Sequence, residues 1–211
     1  MGPRLIALTI LLLITSCQSA SQRFPEWPRP SLLSSKAPLL SDEAAYTQAI
    51  QFQRLGRHIE SIPYFRAVLG AHPDIAQLHL EYGQALHNAS LETDLSRGFV
   101  RYSIGNSFDR SAIAREALKE LKAGLDISRS DAERAYALFT IARVQAMFGL
   151  PTVAALELDE AAALAPGTAQ IAHQRELLTA SLRGVPSDAR ALSGGAPPSI
   201  KPVDVRRQPV R

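Results

Sequence analysis

The sequence predicts an all-α domain over residues 42–183, built from paired antiparallel helices. Amphipathic stretches of helical length lie before and after Gly56, and again before and after Gly149. Each pair of stretches ends in a proline seventeen residues beyond its glycine, at Pro73 and Pro166. A unit recurring in this way indicates helical repeats, which bury their apolar faces only by stacking on one another.

The chain begins with the pattern of a secretory signal at residues 1–16. Arg4 precedes an apolar run from Leu5 to Ile14, which is shorter than the roughly 20 residues that a membrane span needs. Cys17, the only cysteine, follows directly after Ile14, Thr15 and Ser16. This arrangement resembles the bacterial lipobox, which implies cleavage before Cys17 and acylation of its thiol and amine. A plain signal peptide with an incidental cysteine is the alternative.

The residues around Cys17 predict where the protein is held. Gln18, rather than aspartate, follows the cysteine, and in similar enteric lipoproteins this pairing directs the protein to the outer membrane. Several acyl chains would anchor it durably, since each buried methylene contributes about 0.8 kcal/mol. We therefore expect a lipid anchor on the periplasmic face, followed at 17–41 by a proline-rich tether.

The first predicted repeat covers residues 42–75. Ser41, followed by two acidic residues, is typical of a helix start. The helical pattern spans 45–55 and then 59–69. Pro63 falls inside the second stretch, where it costs a hydrogen bond unless the helix begins late.

The second predicted repeat, 76–129, is interrupted. Its helices are expected at 76–88 and 113–127, with Gly83 and Ala117 at the positions where they approach most closely. An insert at 91–110 separates them and holds a short β-branched stretch at 99–104. A loop of this length is either functional or a surface elaboration.

The third predicted repeat covers 135–168. Ser130 and Glu133 form a capping-box pattern, and Pro151 suits a first helical turn. A further amphipathic helix at 169–183 is expected to cap the array, or else to form a dimer contact. Residues 184–211 are basic and rich in proline, and we expect this tail to be disordered.

The outer two repeats share a spacing of small and bulky residues. The shared positions are occupied by Ala49 and Ala142, Ser61 and Ala154, Phe65 and Leu158, and Val68 and Ala161. This frame resembles the tetratricopeptide (TPR) repeat of about 34 residues. The resemblance implies a concave groove, lined by the first helix of each repeat, that binds a segment of another protein. Its candidate residues are Tyr46, Gln53, Gln84, Asn88, Tyr136 and Arg143. Tyr46, Gln84, Asn88 and Arg143 are the best of them, and the alternative is that several of these side chains pack against the neighbouring repeat.

Other classes of function find little support in the sequence. Residues 42–182 carry 13 bases and 17 acids, so the domain is mildly acidic and we expect no nucleic-acid partner. No histidine pair has the helical spacing of metal ligands, and no catalytic or phosphate-binding motif occurs. We therefore expect no enzyme activity, small-molecule substrate, metal or cofactor.

Two functions remain open at this stage. The first is a membrane-anchored adaptor in cell-envelope assembly, similar to pilotin-type TPR lipoproteins that serve pilus or secretion systems. The second is a cell-wall-associated regulatory lipoprotein whose basic tail, 184–211, binds anionic envelope polymer. Deleting the tail discriminates between them.

Overall fold

The computed structural model describes residues 36–91 and 107–183, and over these residues the fold is all-helical, as predicted. The described residues form seven α-helices, and helices adjacent in the chain pack on one another to form a repeat-like solenoid. The helices are α1 (Asp42–Arg54), α2 (His58–Ala71), α3 (Ala76–Leu91), α4 (Ser107–Ile127), α5 (Asp131–Met147), α6 (Pro151–Leu164) and α7 (Ala169–Leu182).

Local signals set the helix ends where the sequence predicts them. The Ser41 hydroxyl accepts a hydrogen bond from the Ala44 amide at 3.3 Å, and Ser130 and Glu133 form the predicted capping box. Pro151 occupies the first turn of α6. Gly56 and Gly149 adopt φ angles of 68° and 73°, a left-handed conformation that glycine reaches without steric cost. These two glycines therefore make the turns inside the outer helix pairs.

Several helix boundaries differ from the prediction, and α3 ends at Leu91, three residues beyond the predicted end at 88. Helix α4 begins at Ser107, six residues before the predicted start at Ile113, so residues 107–110 of the predicted insert are helical. The predicted start followed the apolar period from Ile113, which is buried. Helix α2 begins at His58 and continues through Pro63, so it runs without one of its i→i−4 hydrogen bonds.

The core consists of three groups of buried side chains. One joins α1, α2, α3 and the buried face of α4; a second joins α5, α6 and α7; a third links these two through α3, α4 and α5. Helices α3 and α4 lie close together at Gly83 and Gly124. Leu121 occupies the space beside Gly83, and Leu80 occupies the space beside Gly124.

Helix α7 covers the end of the array, as predicted for a capping helix. Ile171 and Leu178 are each 1% exposed and pack with Leu158 and Ala161 of α6.

Several predictions lie outside the described residues: the signal segment 1–16 with Cys17, most of the tether, the stretch 99–104, and the tail 184–211. Among the helices described, none is long and apolar enough to cross a bilayer.

Candidate partner-binding site

The six predicted groove residues lie on α1, α3 and α5, the first helices of the three units. Two of them reach from α1 to the same residue of α3. The Tyr46 hydroxyl donates a hydrogen bond to Glu81 Oε1 at 3.1 Å. The Gln53 side-chain amide donates to the Glu81 backbone carbonyl at 3.2 Å. Glu81 is therefore the point on α3 at which the first unit meets the second.

The Glu81 carboxyl is buried and asymmetrically bonded. Its Oε1 accepts from Tyr46 and also from the Gln77 amide at 3.0 Å, whereas Oε2 has no hydrogen-bond partner among the described residues. Glu81 is only 8% exposed. Burial raises the pKa of this carboxyl to about 7, against the opposing effect of its two hydrogen bonds.

Further along α3, the Gln84 amide connects to α5 and to its neighbour Asn88. Gln84 donates to Asn88 Oδ1 at 2.7 Å, and Arg143 Nη1 lies 3.5 Å from Gln84 Oε1. The Arg143 guanidinium also lies over the Phe139 ring, 5.7 Å from its centroid. Arg143 is 1% exposed, and burial lowers its pKa to about 10. It therefore remains a buried cation at neutral pH.

Tyr136 lies within the electrostatic reach of both charged groups. Burial raises the pKa of its phenol, the Glu81 charge raises it further, and the Arg143 charge lowers it. We call this assembly the polar cluster, and it consists of Tyr46, Gln53, Gln77, Glu81, Gln84, Asn88, Tyr136 and Arg143. A carboxyl and a guanidinium thus share one side of the array, surrounded by amide and phenol groups.

The structure brings the six predicted residues together but buries more of them than a simple groove requires. Tyr46, Gln84, Tyr136 and Arg143 are each 6% exposed or less. Gln53 and Asn88 remain partly exposed, as does Gln77. The part of the polar cluster open to solvent is therefore an amide surface, with the aromatic and charged groups beneath it.

Glu81, the centre of the polar cluster, was not predicted from the sequence. The repeat frame places it at the sixth position of its unit, outside the positions expected to face a partner. The one signal in the sequence is an acidic residue placed directly between Leu80 and Tyr82, and all three residues are buried in the structure. A buried carboxyl is rare enough to indicate a specific role.

A second polar contact joins α3 to α4 away from the polar cluster. His79 Nδ1 lies 2.7 Å from Glu120 Oε2, and His79 Nε2 lies 2.9 Å from the Pro73 carbonyl. Both neighbours are acceptors, so they favour the doubly protonated imidazolium, and the Glu120 hydrogen bond chiefly raises the pKa of His79.

Within the described residues, no three His, Cys, Asp or Glu side chains are grouped to hold a metal ion.

The chain matches no protein-family model, and no curated protein matches it significantly.

Proposed function

We propose that this protein is a lipid-anchored adaptor that binds a segment of another protein across the polar cluster. The observation that carries the proposal is the convergence of side chains from three successive first helices on one side of the array. In a TPR-like array this is the side on which a partner segment would lie. The partner is an extended or helical protein segment.

The chemistry of the polar cluster supports a polypeptide partner. Its partly exposed groups are the amides of Gln53, Gln77 and Asn88, each of which can both donate and accept hydrogen bonds. Such groups suit the main chain or polar side chains of a peptide. We assign the site no catalytic step, cofactor or metal.

The proposed setting is the periplasmic face of the outer membrane, with the anchor on Cys17 and the tether allowing the domain to reach its partner. Assembly of a pilus or secretion apparatus is the pathway we favour. A Cys17→Ala variant tests the anchor, because it should lose acylation by labelled palmitate and leave the membrane fraction. Continued membrane fractionation of that variant would contradict lipid anchoring.

Site-directed photocrosslinking in native cells tests the adaptor function. A photoreactive side chain placed at Gln53 or Asn88 of the full-length protein should capture a defined partner. The same side chain at Leu156, which is 67% exposed on α6, is the control and should not capture it. If capture at all three positions is equal, or if it requires the tail 184–211 instead of the polar cluster, the adaptor proposal is wrong.

A further inference from the structure

The most informative unexplained feature of the molecule is the second oxygen of Glu81. An ionised carboxylate offers about four acceptor positions. Oε1 receives two donors, Tyr46 and Gln77, at 3.1 and 3.0 Å, while Oε2 is buried and receives no donor from residues 36–91 or 107–183. Buried polar atoms in folded proteins nearly always have a partner, and at a candidate binding site a donor from outside the chain can supply it.

We propose that Glu81 Oε2 binds a cationic nitrogen donor of the partner segment: a lysine or arginine side chain, or a terminal amine. The inference rests on the proposed function and specifies the chemistry of the ligand. The carboxyl needs a donor, because Tyr46 and Gln77 already donate to its other oxygen. A cation suits it better than a neutral donor, since it also offsets the cost of holding a charge away from water.

The Glu81 carboxyl is buried next to two partly exposed side chains. Gln53 and Gln77 both contact Glu81, and both are partly exposed. Partly exposed side chains change rotamer within nanoseconds, so an approach to the carboxyl from this side does not require the helices to move. The incoming donor then completes the bonding of Oε2 from the open side of the polar cluster.

The other ionisable groups around Glu81 leave this role to an external cation. Tyr46 faces it from α1 as a neutral donor, and α5 contributes Tyr136 and Arg143. The Arg143 guanidinium has a place at the Gln84 amide and the Phe139 ring, and it makes no hydrogen bond to Oε2. From α2 and α4, Arg66 contacts α3 at Tyr82 and Glu120 contacts it at His79.

Binding of a cation is coupled to ionisation of Glu81. Because burial raises the pKa of this carboxyl to about 7, a large fraction is protonated at neutral pH. A ligand that binds only the ionised form lowers that pKa by about one unit at ten times its dissociation constant. Affinity for a cation should therefore increase as the pH rises through 7 and level off above it.

Carboxyl-detected NMR on the full-length protein in non-ionic detergent tests the inference directly. The probe is methylguanidinium, and the control at matched ionic strength is N-methylurea, which has a similar shape and no charge. Methylguanidinium should shift the Glu81 carboxyl resonance saturably and lower its pKa, whereas N-methylurea should not. The absence of a saturable shift, or equal shifts with both compounds, would overturn the inference. This comparison needs no variant.

The Glu81→Gln variant provides the second arm. It should weaken methylguanidinium binding at least tenfold, while Glu176→Gln, the same change at an exposed site on α7, should leave binding unchanged. If Glu81→Gln binds the probe as tightly as the wild type, the inference is wrong even where crosslinking at Gln53 still captures a partner. If crosslinking captures nothing but the Glu81-dependent cation binding persists, the cation site stands and the adaptor function fails.

Discussion

Gly83 lies where two helices of the interrupted unit come close together. A Cβ atom at this position would approach Leu121 Cγ to 2.6 Å and the Ala117 carbonyl oxygen to 3.2 Å. The end of the Leu121 side chain can rotate, but the Ala117 backbone carbonyl cannot move independently of α4. The absent side chain therefore sets the distance between α3 and α4.

The Gly83→Ala substitution should consequently destabilise the fold. Overpacking of a close contact costs about 1–3 kcal/mol, which exceeds the helix-propensity gain of up to about 1 kcal/mol. Gly70→Ala is the matched control, because Gly70 is also helical but has open space at its Cβ position. It should leave stability unchanged or raise it slightly. Urea unfolding of both variants measures the difference, and equal effects would show that the α3–α4 contact yields easily.

Glu81 should make the unliganded domain less stable as the pH rises. Its pKa is raised on folding from 4.5 to about 7, so its stabilising contribution is fully present below 4.5 and is lost as the pH rises through about 7. The corresponding free energy is on the order of a few kcal/mol.

Unfolding of the wild type and Glu81→Gln across this pH range measures that contribution. The difference in stability between the two proteins should change between pH 4.5 and 7, in favour of the variant at the higher pH. A difference that is constant with pH would mean that folding leaves the pKa of Glu81 at its ordinary value. Such a result would also remove the pH dependence expected for cation binding.

At the scale of the helices, short-range chemistry explains which boundaries the sequence predicts. The Ser130–Glu133 capping box and the turn glycines depend only on neighbouring residues, so their signals are complete within a few positions. The start of α4 is different, because the apolar period that predicted this helix begins only at Ile113. The passage of α2 through Pro63 depends on tertiary packing, since Ile62, Pro63 and Phe65 are all buried.

The contact between His79 and Glu120 should stabilise the α3–α4 pair within a defined pH window. Their hydrogen bond raises the pKa of His79 above 6.5 and lowers that of Glu120 below 4.5. The contact therefore makes its full contribution to the stability of the fold between about pH 4.5 and 6.5. It is lost as the pH rises through the folded pKa of His79, and also as the pH falls through that of Glu120.

The stability difference between the wild type and His79→Gln should therefore be largest between pH 4.5 and 6.5 and should decrease on either side. His173→Gln, at an exposed histidine of α7, is the control for the substitution itself. Chemical denaturation over a pH series provides the measurement. A difference that increases above pH 7 would indicate that His79 is held neutral, with Glu120 bonded in another way.

Across the whole molecule, the repeat frame predicted where polar side chains would gather but not how they would be bonded. It placed Tyr46, Gln84 and Arg143 on successive first helices, and the structure brings these helices together on one side. The frame could not place Glu81, because the burial of that carboxyl depends on α1 and α5 packing across α3. Such contacts between distant parts of the chain leave no local pattern in the sequence.

Because each helix packs mainly on its neighbours, damage at one end of the array should remain near that end. Leu178 is 1% exposed in α7 and packs with the α5–α6 side chains, so Leu178→Ala should cost about 2–5 kcal/mol there. Leu156→Ala, at an exposed position of α6, is the matched control. Hydrogen exchange should accelerate in α6 and α7 of the first variant while α1 and α2 retain most of their protection. An equal loss of protection from α1 to α7 would instead show that the third core group couples the array into a single cooperative unit.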